Sequence, residues 1–180
     1  IDLPHAEFSL EPDSGCAPLE VSFEQQSRGR YLSYNWRFGN GSDTSAAQPH
    51  SVTYRQSRYQ DTTYYVTMAV ENICGIRSDQ DSVWVKPRPI ARIATSVDSG
   101  CTPLSVRAKS TSLGLPQQFR WSLGDGSSQR VSDSVVDHVY TTDSTLQNYP
   151  LQLVAINDCG SDTSTQLIRV KPNIVKAFFE

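Results

Sequence analysis

No apolar run in this sequence approaches the roughly 20 residues that a membrane-crossing helix requires. The chain opens on Ile1 without the basic, apolar, then small-residue order of a signal peptide. Any export signal or anchor is therefore expected outside these residues. Positive charge is scarce: 16 Lys and Arg stand against 19 Asp and Glu, for a net charge of -3. A balance of that kind cannot follow a phosphate backbone, and nucleic acid is excluded as a partner. Histidine occurs three times, as His5, His50 and His138, and neither a Gly-x-Ser-x-Gly element nor a His-Glu-x-x-His pair is present. No catalytic residue and no enzyme activity are expected. The four cysteines include no closely spaced pair, which argues against a zinc site, so no metal or other cofactor is expected.

What is present is β-forming. Short stretches of Val, Tyr, Ile and Thr recur between turn residues, while helix formers are sparse. Laid on itself at a shift of 85, the chain brings Gly15, Cys16, Pro18, Leu19 and Val21 onto Gly100, Cys101, Pro103, Leu104 and Val106. Trp36 falls on Trp121, Gly39 and Gly41 on Gly124 and Gly126, Tyr64 on Tyr149, and Asn72, Cys74 and Gly75 on Asn157, Cys159 and Gly160. Self-similarity at a fixed period marks repeated structural units, and this period suits a small sandwich domain better than a solenoid turn. The boundaries read as 1–86 for a first domain, 87–171 for a second, and 172–180 for the start of a third copy, because Lys176 to Phe179 resemble the openings at Ala6 to Phe8 and Ala91 to Ile93. Lys86, Pro87, Arg88 and Pro89 form a short, stiff connector.

Period-2 alternation assigns the core. In copy one the inward stripes are Leu19, Val21, Phe23; Tyr34, Trp36, Phe38; Tyr64, Val66, Met68, Val70; and Val83, Val85. In copy two they are Leu104, Val106, Ala108; Phe119, Trp121, Leu123; Tyr149, Leu151, Leu153, Ala155; and Ile168, Val170. These aromatics are expected to pack two sheets together. Cys16 precedes the strand at Leu19 and Cys74 follows the strand ending at Val70. If those strands are antiparallel, both cysteines lie at one end of the sandwich. The expected disulfides are then Cys16 with Cys74 and Cys101 with Cys159, each closing a loop of about 58 residues and contributing about 4 kcal/mol. Structural disulfides imply an oxidising, extracellular or periplasmic setting.

Gly15-Cys16-Ala17-Pro18-Leu19, Trp36-Arg37-Phe38-Gly39-Asn40-Gly41 and Tyr64 to Asn72, with Trp121-Ser122-Leu123-Gly124-Asp125-Gly126, His138-Val139-Tyr140 and Tyr149 to Asn157 in copy two, resemble the polycystic kidney disease (PKD) domain family. The resemblance implies an all-β protein of two tandem immunoglobulin-like β-sandwich domains, found on cell surfaces and beside the catalytic domains of secreted hydrolases. The cysteine-containing variant resembles repeats of large bacterial surface proteins involved in gliding motility or type IX secretion. The sequence departs from the family pattern at Arg37 and Ser122, where an Asp usually follows the Trp, and at Asn40 in the turn.

The function expected from this is that of extracellular spacer repeats of an adhesin-like surface protein, with neighbouring domains of the same chain as partners. The alternative is a carbohydrate- or protein-binding accessory module of a secreted hydrolase, meeting a surface polysaccharide or a protein. For that alternative, and for contacts at the joint, the candidates are Trp84, sent outward by Val83 and Val85, and the basic and aromatic loop Arg28, Arg30, Tyr31, joined by the later Arg55, Arg58 and Tyr59. His138 reads as a structural hydrogen-bonding residue. Asp79, Asp81, Asp158 and Asp162 read as solvated turn carboxylates rather than calcium ligands.

Overall fold

The computed structural model describes residues 2–55, 59–129 and 133–173. Every regular element in it is a strand, and the chain divides into unit 1, Ile1–Pro87, and unit 2, Arg88–Glu180. Residues 174–180, most of the 172–180 segment expected to open a third copy, and Arg58 lie outside the described residues.

Unit 1 contains β1 (Phe8–Glu11), β2 (Ser14–Cys16), β3 (Leu19–Gln25), β4 (Ser33–Arg37), β5 (Asp43–Thr44), β6 (Val52–Tyr54), β7 (Thr62–Asn72) and β8 (Gly75–Lys86). Two sheets form, ordered β1-β3-β6 and β2-β8-β7-β4-β5. Each covers the other's apolar face, as an immunoglobulin-like sandwich requires. Pro12 and Asp13 divide the leading strand between the sheets. β1 pairs antiparallel with β3, whereas β2 crosses over and pairs parallel with the end of β8.

Unit 2 repeats the plan with β9 (Ile93–Thr95), β10 (Ser99–Cys101), β11 (Leu104–Ser110), β12 (Gln118–Ser122), β13 (Ser128–Gln129), β14 (Val135–Tyr140), β15 (Gln147–Asn157) and β16 (Gly160–Lys171). Its sheets are β14-β11-β9 and β10-β16-β15-β12-β13.

The cores are those that alternation assigns. Val21, Trp36, Val66, Met68, Val70 and Val83 are fully enclosed in unit 1, and Leu153, Ala155, Ile168 and Val170 in unit 2. Phe8, Phe23 and Phe38 surround Trp36 at centroid distances of 5.1, 6.0 and 6.1 Å. Tyr54 and Tyr140 complete the packing from equivalent positions, opposite Leu19 and Leu104, each against the tyrosine that opens the long strand, Tyr64 or Tyr149. Burial pushes both phenols up, Tyr140 to about 12 with the Asp125 carboxylate adding to the rise. The Tyr54 hydroxyl donates to the Phe38 carbonyl at 3.0 Å.

Gly39 and Gly124 stand at φ +75° and +84°, each with its Cα pressed on the backbone of the long strand, at Tyr65 or Pro150. A side chain there would meet main-chain atoms at 2.7 Å as well as an unfavourable φ, which explains the glycine in both copies.

Candidate functional site

Each unit has an entry end and an exit end. In unit 1 the Asn72 side-chain amide donates to the Asp2 carbonyl at 2.9 Å, holding the incoming chain beside the β7–β8 turn. The chain then leaves past Lys86, 12 residues along β8. In unit 2 the Asn157 side-chain amide donates to the Gly114 carbonyl at 2.7 Å, beside the β15–β16 turn, and Gly114 packs on the incoming backbone at Arg88 and Pro89. That chain leaves past Lys171.

The cysteines mark these ends. Cys16 is the partner of Lys86 in the β2–β8 ladder, and the Ala17 amide donates to the Lys86 carbonyl at 2.9 Å, so Cys16 sits at the exit end. Cys74 lies in the β7–β8 turn at the entry end, because Asn72 pairs with Gly75 around it. A strand of 12 residues at about 3.3 Å per residue sets them roughly 36 Å apart. Cys101, beside Lys171, and Cys159, inside the Asn157–Gly160 turn, repeat that separation. The pairings Cys16 with Cys74 and Cys101 with Cys159 are thus corrected, since bonded cysteines need Cα atoms within about 7 Å. The premise that failed was strand direction. β3 begins at the exit end and finishes near the entry end, where Arg28 bridges to His5, and β7 runs the same way, so the two strands are not antiparallel. Cys16 and Cys159 are disulfide-bonded, and Cys101 is an exposed thiol.

At the entry end of unit 1 the Arg28, Arg30, Tyr31 loop meets the β7–β8 turn, because Ser33 pairs with Glu71. Tyr31, at φ +57°, is 85% exposed and Ile73 is 84% exposed, with Ile76 and Leu3 also open to solvent. A cavity of about 310 Å³ lies among Asp2, Leu3, Gly29 and Arg30. Sequence reasoning found the loop but not the isoleucines. The signal was available: at the shift of 85, Ile73 and Ile76 fall on the polar Asp158 and Ser161.

Trp84 points out of the β2-β8-β7-β4-β5 sheet and is 43% exposed, with the Lys86 ammonium 4.8 Å from its ring centroid. Tyr65, missed in the sequence, shares that face: Trp84 pairs with Thr63 and Tyr65 with Ser82, so the two rings occupy diagonal positions. A shallow hollow of about 310 Å³ among Asn35, Arg37, Thr67 and Ala69 continues the face toward β4. Pro150 and Arg169 stand in place of Tyr65 and Trp84 in unit 2.

His138 occupies the turn side of unit 2. Its Nε2 lies 2.6 Å from Asp125 Oδ2, and its ring meets Tyr140 edge-on at 4.6 Å. Asp125 also accepts the Ser127 amide at 2.9 Å and the Ser127 hydroxyl. Burial works to raise this carboxyl, yet the two Ser127 hydrogen bonds and His138 together hold it down at about 2. Folded Asp125 therefore titrates below the value of about 3.9 for an unfolded Asp. The stability it contributes is complete above about pH 4 and is lost as pH falls toward 2. In thermal melts followed by circular dichroism, unit 2 is expected to lose stability through that window, and Asp125→Asn to remove this part of the loss. An unchanged acid slope in the variant would contradict the assignment. Unit 1 has Asn40 in the same turn, accepting the Ser42 amide at 3.0 Å, so no carboxylate stands at that position.

Two of the carboxylates expected in turns, Asp79 and Asp162, stand instead on β8 and β16 and hold backbone. Asp79 accepts the Phe8 amide at 3.2 Å and Asp162 the Ala91 amide at 2.8 Å, each tying the opening of a unit to its last strand. Among the described residues no group of three or more His, Cys, Asp or Glu could hold a metal ion, and no helix is long and apolar enough to cross a membrane.

A family model described as PKD domain matches residues 84–172. No curated protein matches the chain. Among solved structures, the full ectodomain of mouse nectin-like molecule 4 (Ig1–Ig3) is similar over 98% of this chain and 67% of its own, at 16% identity and a TM-score of 0.56. Titin domains I67–I69, in an E-to-A variant, are similar over 96% of this chain and 66% of theirs, at 17% identity and 0.52. The four N-terminal Ig domains of Dscam1 isoform 7.44 give 96% and 47%, at 12% identity and 0.50. The chain spans about two thirds or less of these proteins' own lengths. At such identities the likeness shows the fold: two tandem immunoglobulin-like sandwiches, the second matching the PKD domain.

Proposed function

We propose that the chain is a spacer segment of an extracellular surface protein, transmitting load rather than catalysing a reaction. The observation that carries this is the path through each unit: the chain enters beside the β7–β8 or β15–β16 turn and leaves beside Lys86 or Lys171, at the far end of a 12-residue strand. A domain entered at one end and left at the other adds its full strand length to whatever it separates. The disulfide-bonded cysteines fit an oxidising compartment. His138, engaged by Asp125 and Tyr140, reads as a fastener of the turn. The narrower reading, repeats of a bacterial adhesin of the gliding or type IX secreted kind, rests on the sequence resemblance and needs the full-length gene product.

The second reading, a binding module, is favoured by one feature, the outward pair Tyr65 and Trp84 with Lys86 and the neighbouring hollow, which offers flat apolar rings beside polar groups as a sugar-stacking face does. A glycan array separates the two. The spacer reading expects no retained class of glycan; retention of one class, abolished by Trp84→Ala, would replace it with the binding reading.

A further inference from the structure

Asn40 is the one asparagine of six that is followed by glycine; the others precede Trp, Ile, Tyr or Asp, whose side chains crowd the next backbone nitrogen. It stands exposed in the turn that closes β4 on β5, where the Phe38 amide donates to the Ser42 carbonyl at 3.1 Å. Gly41 is also exposed, at φ +91°, and a Cβ built on it would meet nothing within 4 Å, so the backbone between the two residues is open to solvent. Asn40 Oδ1 accepts the Ser42 amide at 3.0 Å and the Ser42 hydroxyl at 2.5 Å. Those donors bear on chemistry as well as on the turn. When the Gly41 nitrogen attacks Asn40 Cγ, negative charge gathers on Oδ1, and both Ser42 donors already point at that atom.

We propose that the Asn40–Gly41 turn is a self-modifying site, which loses ammonia through a cyclic imide and gains a negative charge where unit 2 carries Asp125. The inference does not depend on the spacer reading. Its only co-reactants are hydroxide and water, and nothing is oxidised or reduced. The Gly41 nitrogen gives its proton to hydroxide and bonds to Asn40 Cγ; the Cγ–Nδ2 bond breaks, and Nδ2 takes up a proton and leaves as ammonia. Water then opens the ring. Entry at Cγ gives aspartate, whereas entry at the Asn40 main-chain carbonyl gives isoaspartate, with one extra carbon in the backbone. The aspartate keeps the turn, because Asp125 accepts the Ser127 amide and hydroxyl in the same way. The isoaspartate lengthens the turn and works against the bond from the Phe38 amide to the Ser42 carbonyl.

Unit 2 supplies an internal control. Asp125 and Gly126 occupy the same turn, and Gly126 is also at φ +91° with open space around it. The Asp125 carboxyl is held down at about 2 and its Oδ2 lies 2.6 Å from His138 Nε2, so near neutral pH it is an anion. A carboxylate resists nucleophilic attack and has no ammonia to expel. Unit 1 has Val52 at the position of His138, opposite Val21 as His138 is opposite Val106, so no imidazole holds the Asn40 side chain.

The test incubates the whole chain in mildly alkaline buffer and follows every asparagine by peptide mass spectrometry, with isoaspartate resolved by electron-transfer fragmentation. Asn40 is expected to show the mass gain of an amide-to-acid exchange before any other asparagine, with one acidic step on an isoelectric gel, while Asp125 yields no isoaspartate. Ser42→Ala removes one donor at an exposed position. It is expected to slow conversion in the folded chain by roughly two- to tenfold, the effect of one hydrogen bond, and to leave the rate in urea unchanged. An intact Asn40 while another asparagine converts, or isoaspartate arising at Asp125 as fast as at Asn40, would overturn the proposal. So would equal rates for folded Ser42→Ala and the parent chain, or a slowing that persists in urea, since the reactivity would then belong to the dipeptide and not to the turn.

Discussion

Trp36→Ala is expected to destabilise unit 1 by about 3–5 kcal/mol, the range for truncating a buried aromatic. The side chain is wholly enclosed, and its ring contacts Phe8, Phe23 and Phe38, two of them edge-on and one stacked. Those pairings add about 0.5–1.5 kcal/mol beyond simple burial, which places Trp36→Ala toward the top of the range. Trp121 has Ile93, Ala108 and Leu123 where unit 1 has Phe8, Phe23 and Phe38, so its loss should fall lower. Against a domain stability of roughly 5–15 kcal/mol, either change removes a large share.

The conservative exchange to phenylalanine reverses the order. The Trp121 indole N–H donates to the Asp133 carbonyl at 3.3 Å, whereas the Trp36 indole N–H has no partner among the described residues. Trp36→Phe therefore removes a buried, unsatisfied donor together with the lost volume, and Trp121→Phe removes a satisfied one. The second should cost more by about 1 kcal/mol. Urea denaturation read by hydrogen exchange, which reports each unit separately, checks both comparisons. Equal costs for the two phenylalanine variants would contradict the hydrogen-bond difference.

Much of this architecture is legible in the residues because burial in a sandwich obeys a period of two. Val66, Met68 and Val70 on β7, and Leu151, Leu153 and Ala155 on β15, are inward for no reason beyond alternation. The outward placement of Trp84 follows from Val83 and Val85 in the same way. What alternation does not carry is the direction and length of strands relative to one another. The disulfide expectation fails there: Cys16 and Cys74 each flank a strand, but β2 is a separate short strand laid parallel on the last rungs of β8. The long hairpin β7–β8 puts its turn a full strand away. Tyr65 and the exposed pair Ile73 and Ile76 escaped for another reason. Their neighbours Tyr64 and Val70 fit the core stripe, which draws notice to the buried face and away from the aromatic and apolar residues on the other. The loop Arg28, Arg30, Tyr31 was found by composition, yet only the pairing of Ser33 with Glu71 places it beside Ile73 at the entry end.

Two features of the copies now acquire distinct meanings. Residues that repeat, such as Gly39 with Gly124 and Tyr54 with Tyr140, are those the sandwich needs. Residues that differ, such as Asn40 with Asp125, Trp84 with Arg169 and Ile73 with Asp158, lie on turns, outer faces and ends. The cysteines belong to neither group: they repeat, although no single sandwich can use them as a pair.

Force spectroscopy on the single chain, pulled from its two termini under reductant, tests the spacer reading most directly, because a unit entered at one end and left at the other takes load along its strands. Two separate unfolding steps are expected, each lengthening the chain by roughly 270 Å at about 3.5 Å per residue. Continuous extension with no resisting step would contradict it.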